Sequence, residues 1–400
     1  MANYTKGEKI LEIKNARQYF TSGWGRKKVV VKAVHNISFD VYKGEVFGLV
    51  GESGCGKTTT GRMIIKLYNV TDGDIYFKGQ RIASGTRGKK IAIDKAKIDI
   101  LDKKDEYTKF SAETKAEMSK QDESSYEYIH AQEDLKSAQE DLDKFIVDKK
   151  KEIEDIKKEI LKSKKDNDPA IEFITKMQMI FQDPIDSLNP RMTVREIVAE
   201  GLLIRGEKNQ EFMTKEVERV LGLVGLVPEH ANRYPHEFSG GQRQRIGIAR
   251  ALIVNPEVII ADEPISALDV SIQAQVINLL NELRQKFNLT ILFIAHNLSV
   301  VKYFCDRIGV MYYGRLVELA STEELFKHPL HPYTKALLSA VPLPDPDYEK
   351  NRQRVYYNPS LRKTTVDKPL MTEIVPDHFV YGSLNEIEAY RQELAKTDKK

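Results

Sequence analysis

The stretch GESGCGKTT at residues 51–59 constrains the fold of this chain more than any other stretch. It follows VFGLV, a continuous apolar run that predicts a central parallel strand covered on both faces. A helix is predicted to follow from about Lys57. A strand, a loop of the pattern G-x-x-x-x-G-K-[ST] and a helix form the context that a phosphate-binding loop requires. The sequence therefore predicts an α/β protein that binds phosphate groups through this loop.

This loop offers several kinds of phosphate contact. Its backbone N–H groups at residues 54–58 can surround a β-phosphate. Lys57 can reach the β- and γ-phosphates, and the hydroxyl of Thr58 can hold Mg²⁺. The alternative, a glycine-rich turn without a ligand, is disfavoured by the strand and helix that flank it. The predicted nucleotide contacts of the loop are Gly51, Ser53, Gly54, Cys55, Gly56, Lys57, Thr58 and Thr59.

A second apolar strand, in EVIIADEP at residues 257–264, ends in two acidic residues. Asp262 is predicted to bind Mg²⁺, directly or through water. Glu263 is predicted to act as the general base that activates the attacking water. Acidic turns at strand ends are common, but the phosphate-binding loop upstream favours the catalytic interpretation.

Two further polar residues follow apolar strands. Gln182 comes after the strand in IFQDP and is a candidate for contact with both the metal and the water. His296 ends LFIAH and is a candidate to donate to the γ-phosphate and to orient the glutamate. Alone, Gln182 would indicate a turn, and His296 a packed or capping side chain. The predicted catalytic residues are Lys57, Gln182, Glu263 and His296, and the predicted metal contacts are Thr58, Gln182 and Asp262.

The stretch EFSGGQRQRIGIARAL at residues 237–252 predicts a second helix end that favours an anion. Ser239, followed three residues later by Gln242, is a capping-box pattern, and the two glycines between them permit close backbone approach. The N–H groups and the dipole at a helix start favour negative charge. One chain thus carries two phosphate-seeking motifs far apart in sequence.

From Arg87 to Asp168 the composition changes, because roughly half of the residues are charged, against about a quarter in globular domains. No glycine or proline lies between Lys89 and Asp168, and apolar residues from Leu135 onward recur at helical spacing. We predict a long amphipathic helix or a helical hairpin, with disorder as the main alternative.

The amino-terminal part of this segment, Ile91 to Met118, has the poorer helical pattern. Its long surface suits a docking arm for another protein or subunit. The other interpretation is a tolerated insertion at a surface turn. Deletion of residues 88–166, followed by a transport assay, would separate the two.

The motifs GESGCGKTT, FQDP, FSGGQRQR, IIADEP, SALD and IAH, in this order and spacing, resemble the nucleotide-binding domain of an ABC transporter. The resemblance covers about residues 10–345, apart from the charged segment. In detail, FQDPIDSLNPRMTVREIV and HPLHPYTKALLSAVPLPDP are similar to the F-type ATP-binding subunit of bacterial oligopeptide importers.

The resemblance implies a P-loop NTPase fold with an antiparallel β subdomain, a helical subdomain and a long charged helical insertion. It implies that the segment beyond about residue 321 is a C-terminal extension typical of oligopeptide importer ATPases. The tail beyond about Pro342 carries many prolines and charges, and we expect it to lie at the periphery. The implied domains are a nucleotide-binding domain at residues 8–85 and 170–320, its helical subdomain at about 184–250, the insertion at 86–169 and the extension at 321–400.

The resemblance also assigns roles to particular residues. Gln182 begins the loop that senses the membrane subunits, and His296 is the switch histidine. Asp269 lies in the loop SALD that faces the partner, although it is also placed to cap the next helix. Asn297 stands where relatives usually have aspartate, with little effect expected on hydrolysis. The implied signature loop consists of Ser239, Gly240, Gly241 and Gln242.

An aromatic residue shortly before the phosphate-binding loop is implied to stack on adenine. Tyr19 and Phe20 are the candidates, with Trp24 behind them. The cofactors implied are ATP and Mg²⁺.

The implied function is an ATPase subunit that drives oligopeptide uptake at the cytoplasmic face of the bacterial plasma membrane. The implied partners are a homologous second ATP-binding subunit, two transmembrane permease subunits and, through the complex, a peptide-binding receptor lipoprotein. In a head-to-tail pair, the signature loop of one subunit faces the ATP of the other, which explains the second motif. The alternatives are a dipeptide or nickel importer, a soluble ABC ATPase and a non-hydrolysing scaffold.

Composition limits the other partners. A formal net charge of +3 without a concentrated basic stripe argues against a nucleic-acid binder. Cys55 and Cys305 fit no disulfide framework, which favours a reducing, cytosolic compartment. The tail has no cysteine, so we expect no iron–sulfur cluster. We find no apolar signal region at the start and no run that could span a bilayer, so a membrane role requires a partner.

Overall fold

A computed structural model of the protein describes residues 7–23, 29–167, 171–340, 356–359 and 368–397. The chain divides into two compact units, Met1–Ala83 with Pro169–Lys400, and Ser84–Asp168. The strands are β1 (Lys9–Ser22), β2 (Val29–Tyr42), β3 (Val46–Val50), β4 (Asp72–Phe77), β5 (Gln80–Ser84), β6 (Met177–Ile180), β7 (Val258–Asp262), β8 (Thr290–Ala295), β9 (Arg307–Tyr312), β10 (Arg315–Ser321), β11 (Leu370–Val375) and β12 (His378–Gly382).

Several helices begin at side chains that cap their first turn. Thr193 and Ser239 each form a capping box with the third helical residue, as their sequence patterns require. The helices are α1 (Lys57–Ile64), α2 (Arg87–Met118), α3 (Tyr126–Asp166), α4 (Ile171–Lys176), α5 (Pro184–Ser187), α6 (Val194–Ile204), α7 (Gln210–Leu223), α8 (Gly240–Leu252), α9 (Val270–Phe287), α10 (Leu298–Phe304), α11 (Thr322–Lys327), α12 (Pro332–Ser339) and α13 (Leu384–Thr397).

The first unit contains an eight-stranded sheet with the strand order β11-β12-β10-β9-β3-β8-β7-β6. The strands from β9 to β6 in this order run parallel. Strands β3, β7 and β8 are buried along their whole length. Continuous apolar strands are what a parallel sheet covered on both faces requires. The α/β fold predicted from VFGLV and its neighbours is therefore confirmed.

A second sheet has the order β2-β1-β4-β5 and corresponds to the predicted antiparallel β subdomain. Its first two strands have 14 residues each. Register shifts interrupt their pairing, and such bulges allow long strands to bend and twist. Phe39 of β2 stacks on Phe47 of β3 with 5.0 Å between the ring centroids, which joins the two sheets in one core.

The chain between β6 and β7 is largely helical, as predicted for the helical subdomain. Val198 of α6, Val220 of α7 and Ile248 of α8 are fully buried in a shared apolar cluster. The cluster continues to Ile259 and Phe293 of the parallel strands. The helical subdomain thus packs on the sheet that carries the site.

The C-terminal extension adds to the main sheet. Strand β12 pairs antiparallel with β10, and β11 pairs with β12. Val380, Ile387 and Leu394 form an apolar cluster that attaches α13 to these strands. The described part of the tail thus lies at one edge of the main sheet, where it continues the strand pairing. It does so because β12 pairs with the backbone groups on the outer edge of β10.

The second unit is a helical hairpin of α2 and α3, joined by residues 119–125. Ile93 and Ala96 of α2 pack with Ile153 of α3 in its apolar seam. Lys149 adds an ion pair to Asp99 at 3.2 Å. The weaker helical pattern before Met118 still gives a continuous helix, because α3 supplies the packing that most helices need.

Four polar side chains close the base of this hairpin. The amide of Asn167 accepts a hydrogen bond from the Ser84 N–H and donates one to the Ser84 carbonyl, both at 2.8 Å. The Lys89 ammonium donates to the hydroxyls of Ser84 at 3.0 Å and Ser163 at 2.6 Å. The two ends of the hairpin are therefore held side by side.

Cys55 and Cys305 are free and buried. Burial raises the pKa of Cys55, which keeps its thiol neutral. Within the described ranges, no helix is both long and apolar enough to cross a bilayer.

Candidate functional site

The carboxyl ends of parallel strands bring the predicted catalytic residues to one edge of the main sheet. Val50 of β3 lies beside Ala295 of β8, and Asp262 of β7 lies beside Ile294 of β8. Strand β6 ends next to β7. In parallel sheets, this edge is where ligand sites form. The residues that follow the four strands are the phosphate-binding loop, Gln182, Glu263 and His296.

The phosphate-binding loop depends on glycine at two positions. Gly56 has φ 106°, and a Cβ there would lie 2.2 Å from the Ala33 carbonyl oxygen. Gly51 has φ 150°, and a Cβ there would lie 2.2 Å from the Met311 carbonyl oxygen. No side chain caps the start of α1, so its first N–H groups remain available to an anion.

Lys57 is held inside the loop that precedes it. Only 4% of this residue is exposed. Its Nζ donates hydrogen bonds to the carbonyl oxygens of Gly51 at 2.9 Å and Glu52 at 3.0 Å. Glu263 Oε1 lies 3.8 Å from the same nitrogen. The ammonium is thus fixed beside the loop's N–H groups, where phosphate oxygens would meet it.

Asp262 and Thr58 form a candidate metal site. Asp262 is fully buried, and its Oδ1 accepts a hydrogen bond from Thr58 Oγ1 at 2.9 Å. Its Oδ2 has no hydrogen-bond partner among the described residues. Burial raises the pKa of Asp262, and the hydrogen bond from Thr58 opposes part of that rise. A buried carboxylate oxygen without a donor, next to a hydroxyl, fits a hard cation such as Mg²⁺.

Glu263 lies between the other predicted catalytic side chains. Its Oε2 is 3.1 Å from Gln182 Nε2 and 3.1 Å from His296 Nδ1. Its backbone φ is 43°, a left-handed conformation that is uncommon outside glycine. The Glu263 N–H donates to the Ile294 carbonyl at 2.9 Å, which holds this conformation in place. Such strained residues cluster at functional sites.

An open cleft of about 810 Å³ lies in front of these side chains. Gln182, Glu263 and His296 line it, together with Ser187 of α5 and Ser266. The His296 side chain is 55% exposed, whereas that of Glu263 is 12% exposed. The cleft therefore combines a sheltered carboxylate with an accessible imidazole, as hydrolysis of a bound phosphate requires.

The predicted signature loop forms the start of α8. Ser239 Oγ accepts from the Gln242 N–H at 3.4 Å, and Gln242 Oε1 accepts from the Ser239 N–H at 3.1 Å. Ser239 and Gly240 are exposed, while Gly241 is half-buried. Within the part of the chain that is described, no hydrogen bond joins this loop to residues 51–59. The chain assembles the catalytic residues without it.

Asp269 stands at the N-cap position of α9, as predicted, but its side chain makes no capping hydrogen bond. The capping role expected of its carboxylate is therefore wrong. Its backbone carbonyl accepts from the N–H groups of Ile272 and Gln273, each at 2.9 Å. The carboxylate itself is on an exposed residue.

The two aromatic candidates for adenine differ in exposure. Tyr19 stacks on His35 with 5.6 Å between the ring centroids, and its hydroxyl hydrogen-bonds to His35 Nδ1. Phe20 is 37% exposed and meets the ring of Tyr68 edge-on. Exposure favours Phe20 for stacking on a base, which stays a prediction. Trp24 lies outside the described residues.

Sequence reasoning missed one contact of the phosphate-binding loop. The hydroxyl of Tyr333 accepts a hydrogen bond from the Glu52 N–H at 3.0 Å. Tyr333 belongs to HPYTKALL, a segment that indicated a resemblance but no contact. The two residues are 281 positions apart, so no local pattern could have joined them.

Two family models match the chain. One, described as ABC transporter, matches residues 34–160 and 142–266. The other, described as oligopeptide/dipeptide transporter, C-terminal region, matches residues 317–365 and includes Tyr333. The first match covers the phosphate-binding loop, the signature loop and both acidic residues of the site.

Curated relatives match nearly the whole chain. The oligopeptide transport ATP-binding protein OppF of Bacillus subtilis is 48% identical over 385 residues, covering 96% of this chain and 99% of that protein. OppF of Streptococcus mutans is 44% identical, with 96% and 98% covered. The dipeptide transport ATP-binding protein DppF of Lactococcus lactis is 42% identical, with 97% and 98% covered.

Solved structures show the same fold at low identity. The cbiO1 protein of Clostridium perfringens, part of the ABC transporter complex cbiONQ, is 19% identical, with a TM-score of 0.51 over 80% of this chain and 91% of that one. The ATP-binding cassette MJ0796 bound to ADP and phosphate is 22% identical, with a TM-score of 0.51 over 78% and 99%. From its family match and its relatives, the chain belongs to the ABC transporter family, among the F-type ATP-binding subunits of oligopeptide/dipeptide importers.

Proposed function

We propose that the chain is the ATP-binding and hydrolysing subunit of an importer that drives oligopeptide uptake. The observation that carries the proposal is Glu263, whose carboxylate lies within reach of Lys57, Gln182 and His296 beside a phosphate-binding loop. The names of the relatives, oligopeptide transport ATP-binding proteins, support the substrate class.

In this function, each site residue has a definite task. The N–H groups of residues 54–58 and the Lys57 ammonium bind the phosphates of ATP. Thr58, Asp262 and Gln182 would hold Mg²⁺, whose charge offsets that on the phosphate oxygens when it is bound. The orphaned Oδ2 of Asp262 supports this assignment. Tyr19 or Phe20 stacks on the adenine.

Hydrolysis begins when a water attacks the γ-phosphorus. Glu263 accepts a proton from this water, and the bond from the γ-phosphorus to the β–γ bridging oxygen breaks, leaving ADP and phosphate. His296 orients the glutamate through its contact at 3.1 Å and donates to the γ-phosphate. Gln182, at the same distance, positions the water. Positioning and electrostatic stabilisation supply most of the acceleration.

The working unit is a head-to-tail pair with a homologous subunit. The signature loop, Ser239 to Gln242, and Asp269 of one subunit face the ATP that the other subunit binds. Two permease subunits seat near Gln182 and the helices at residues 184–225, at the cytoplasmic face of the membrane. A receptor lipoprotein delivers the peptide through them.

Reconstitution tests this function. The chain, the subunits that copurify with it and the receptor would be placed in liposomes with ATP and a labelled oligopeptide. We expect ATP-dependent uptake that a Lys57→Ala variant abolishes. Hydrolysis without uptake would indicate a soluble ATPase, and nucleotide binding without hydrolysis would indicate a scaffold.

A dipeptide is the second candidate substrate, because DppF of Lactococcus lactis covers almost the same length at 42% identity. The same liposomes, loaded in parallel with a labelled dipeptide and a labelled oligopeptide, separate the two. Faster uptake of the dipeptide would replace the proposed substrate while leaving the ATPase role intact.

A further inference from the structure

The C-terminal extension makes a direct contact with the phosphate-binding loop. Tyr333, in the first turn of α12, is 2% exposed and is among the largest fully buried side chains. Its hydroxyl oxygen accepts the hydrogen bond from the Glu52 N–H at 3.0 Å. Tyr333 is not one of the proposed site residues, and it lies far along the sequence from every nucleotide-binding motif.

The contact fixes a particular peptide unit of the loop. The N–H of Glu52 and the carbonyl of Gly51 belong to the same planar peptide group. Tyr333 holds the N–H side, and the Lys57 ammonium holds the carbonyl side at 2.9 Å. Rotation of this peptide would therefore break both contacts and move the ammonium that is placed to meet the phosphates.

Tyr333 is itself held firmly in position. His331 Nδ1 accepts a hydrogen bond from the Tyr333 N–H at 3.1 Å and caps α12. The ring packs against Tyr312 at 4.3 Å and Tyr357 at 5.8 Å between centroids. Burial raises the pKa of Tyr333, so its hydroxyl stays neutral at physiological pH.

A buried carboxylate connects this segment to the last strands of the chain. Glu318, which is fully buried, accepts from the N–H groups of Leu330 at 2.8 Å and His331 at 2.9 Å. The same carboxylate lies 2.8 Å from Nε2 of His378, which is also fully buried. A continuous set of contacts thus leads from β12 through Glu318 and Tyr333 to the loop.

We propose that Tyr333 is a positioning residue of the ATP site, through which the C-terminal extension sets the conformation of the phosphate-binding loop. The inference rests on the proposed ATP-binding function and adds to it. Tyr333 does not touch the nucleotide. It holds the Gly51–Glu52 peptide in the orientation that places Lys57, and its loss weakens ATP binding more than it slows the chemical step.

The test compares Tyr333→Phe with Tyr312→Phe in the full-length chain. The first variant keeps the ring and removes the oxygen that accepts from Glu52. The second removes a hydroxyl from the same aromatic cluster that makes no hydrogen bond to residues 51–59 in the described part of the chain. The Kd of a fluorescent ATP analogue, and the KM and kcat of the assembled transporter, are measured at a temperature where circular dichroism shows all proteins folded.

We expect Tyr333→Phe to raise the Kd and the KM for ATP about fivefold, the effect of one hydrogen bond of ordinary strength, with kcat changed less than about twofold. Tyr312→Phe should leave all three within about twofold of the wild type. A merely structural role would lower the active fraction, and so kcat, without moving KM.

Two outcomes overturn the inference. One is a Tyr333→Phe variant with wild-type Kd and KM, and the other is an equal loss of affinity in both variants. If the wild-type chain fails to bind the ATP analogue, the proposed function fails instead. The two failures are therefore distinguishable in the same experiment.

Discussion

Two regions of this chain are predicted to bind phosphate groups. They differ in how many of the other residues of the ATP site this chain places around each of them. Around Glu263, side chains from three loops contact one another, and the carboxylate lies close to an amide, an imidazole and an ammonium. Around Ser239, the helix start is exposed and its polar side chains bond only to each other's backbones. The first region is the proposed catalytic centre, and no signature loop of this chain contacts it among the described residues. The second is the proposed signature loop, which lies apart from those catalytic residues.

The largest expected effect tests the first region. Glu263→Gln should lower ATP hydrolysis by about 10²–10⁴-fold, because the amide cannot accept the proton of the water. ATP binding should persist. Steady-state phosphate release and ATP-analogue binding measure the two separately. Glu257→Gln is the control, since it removes a carboxylate from the other end of the same strand. Hydrolysis retained by Glu263→Gln would exclude this residue as the general base.

The next effect tests whether the second region acts on another subunit. Ser239→Arg should reduce hydrolysis at the partner's ATP site by more than about tenfold, because the large cation blocks the approach of the helix end. The mutant chain's own ATP site should still bind nucleotide. The measurement is hydrolysis by mixed pairs in which a single site carries an intact glutamate.

Thr193→Arg is the matched control for this experiment. Thr193 and Glu196 form the same type of capping box at the start of α6. Losing either cap costs about 1 kcal/mol of helix stability. Equal losses of hydrolysis in the two variants would show that capping, and not contact with a partner's ATP, explains the effect.

A smaller effect on ATP affinity is expected at the aromatic residues that are candidates to bind the adenine base. Phe20→Ala should raise the KM for ATP about tenfold, the effect expected when one aromatic stacking contact is lost. Tyr19→Ala also removes a ring and should change KM less than about twofold. Kinetics at varied ATP concentration decide between them. A larger effect at Tyr19 would move the adenine contact to the ring that stacks on His35.

The smallest effect concerns the stability of the β subdomain that supports this region. His35 has its pKa lowered to about 4, first by burial and then by nearby positive charges. The unfolded chain binds a proton at His35 below pH 6.5, whereas the folded chain does so only near pH 4. Stability from this group is thus present above pH 6.5 and lost as the pH falls toward 4. The positive side chains facing the ring are Arg315, Lys32 and Arg17.

Thermal unfolding as a function of pH checks this expectation. His35→Gln should flatten the fall in Tm over that pH range, because the glutamine does not titrate. An unchanged pH dependence would mean that other groups account for the acid sensitivity.

The first region could be predicted from sequence because each of its residues is tied to the end of an apolar strand. The apolar strands that end at Asp262 and just before His296 can be recognised from the local sequence, and parallel pairing then brings their ends together. The second region's capping box was likewise readable from Ser239 and Gln242. Its working partner, the ATP of a second subunit, is implied by the family resemblance alone, because the residues of one chain do not indicate which molecule meets an exposed helix end.

Other features of the structure could not be predicted, because they depend on contacts between residues that are far apart in the sequence. The carboxylate of Asp269 makes no capping hydrogen bond, and the backbone carbonyl of the same residue accepts from the first turn instead. The pairing of β12 with β10 places Val380 opposite Glu318, and the sequence of neither strand indicates which strand it pairs with. The contact of Tyr333 with Glu52 is equally remote. Such pairings are decided by packing of the whole chain.

The closed base of the hairpin has a consequence for engineering. Because the amide of Asn167 bonds to both backbone groups of Ser84, the 84 residues from Ser84 to Asn167 enter and leave at adjacent points. The entropy of closing a loop grows only with the logarithm of its length, so a short glycine-rich turn between the same two points costs the chain little. Ser84 and Asn167 therefore mark the two points between which the hairpin can be exchanged for another segment. A fluorescent protein or a purification handle inserted there would replace the hairpin without stretching the backbone.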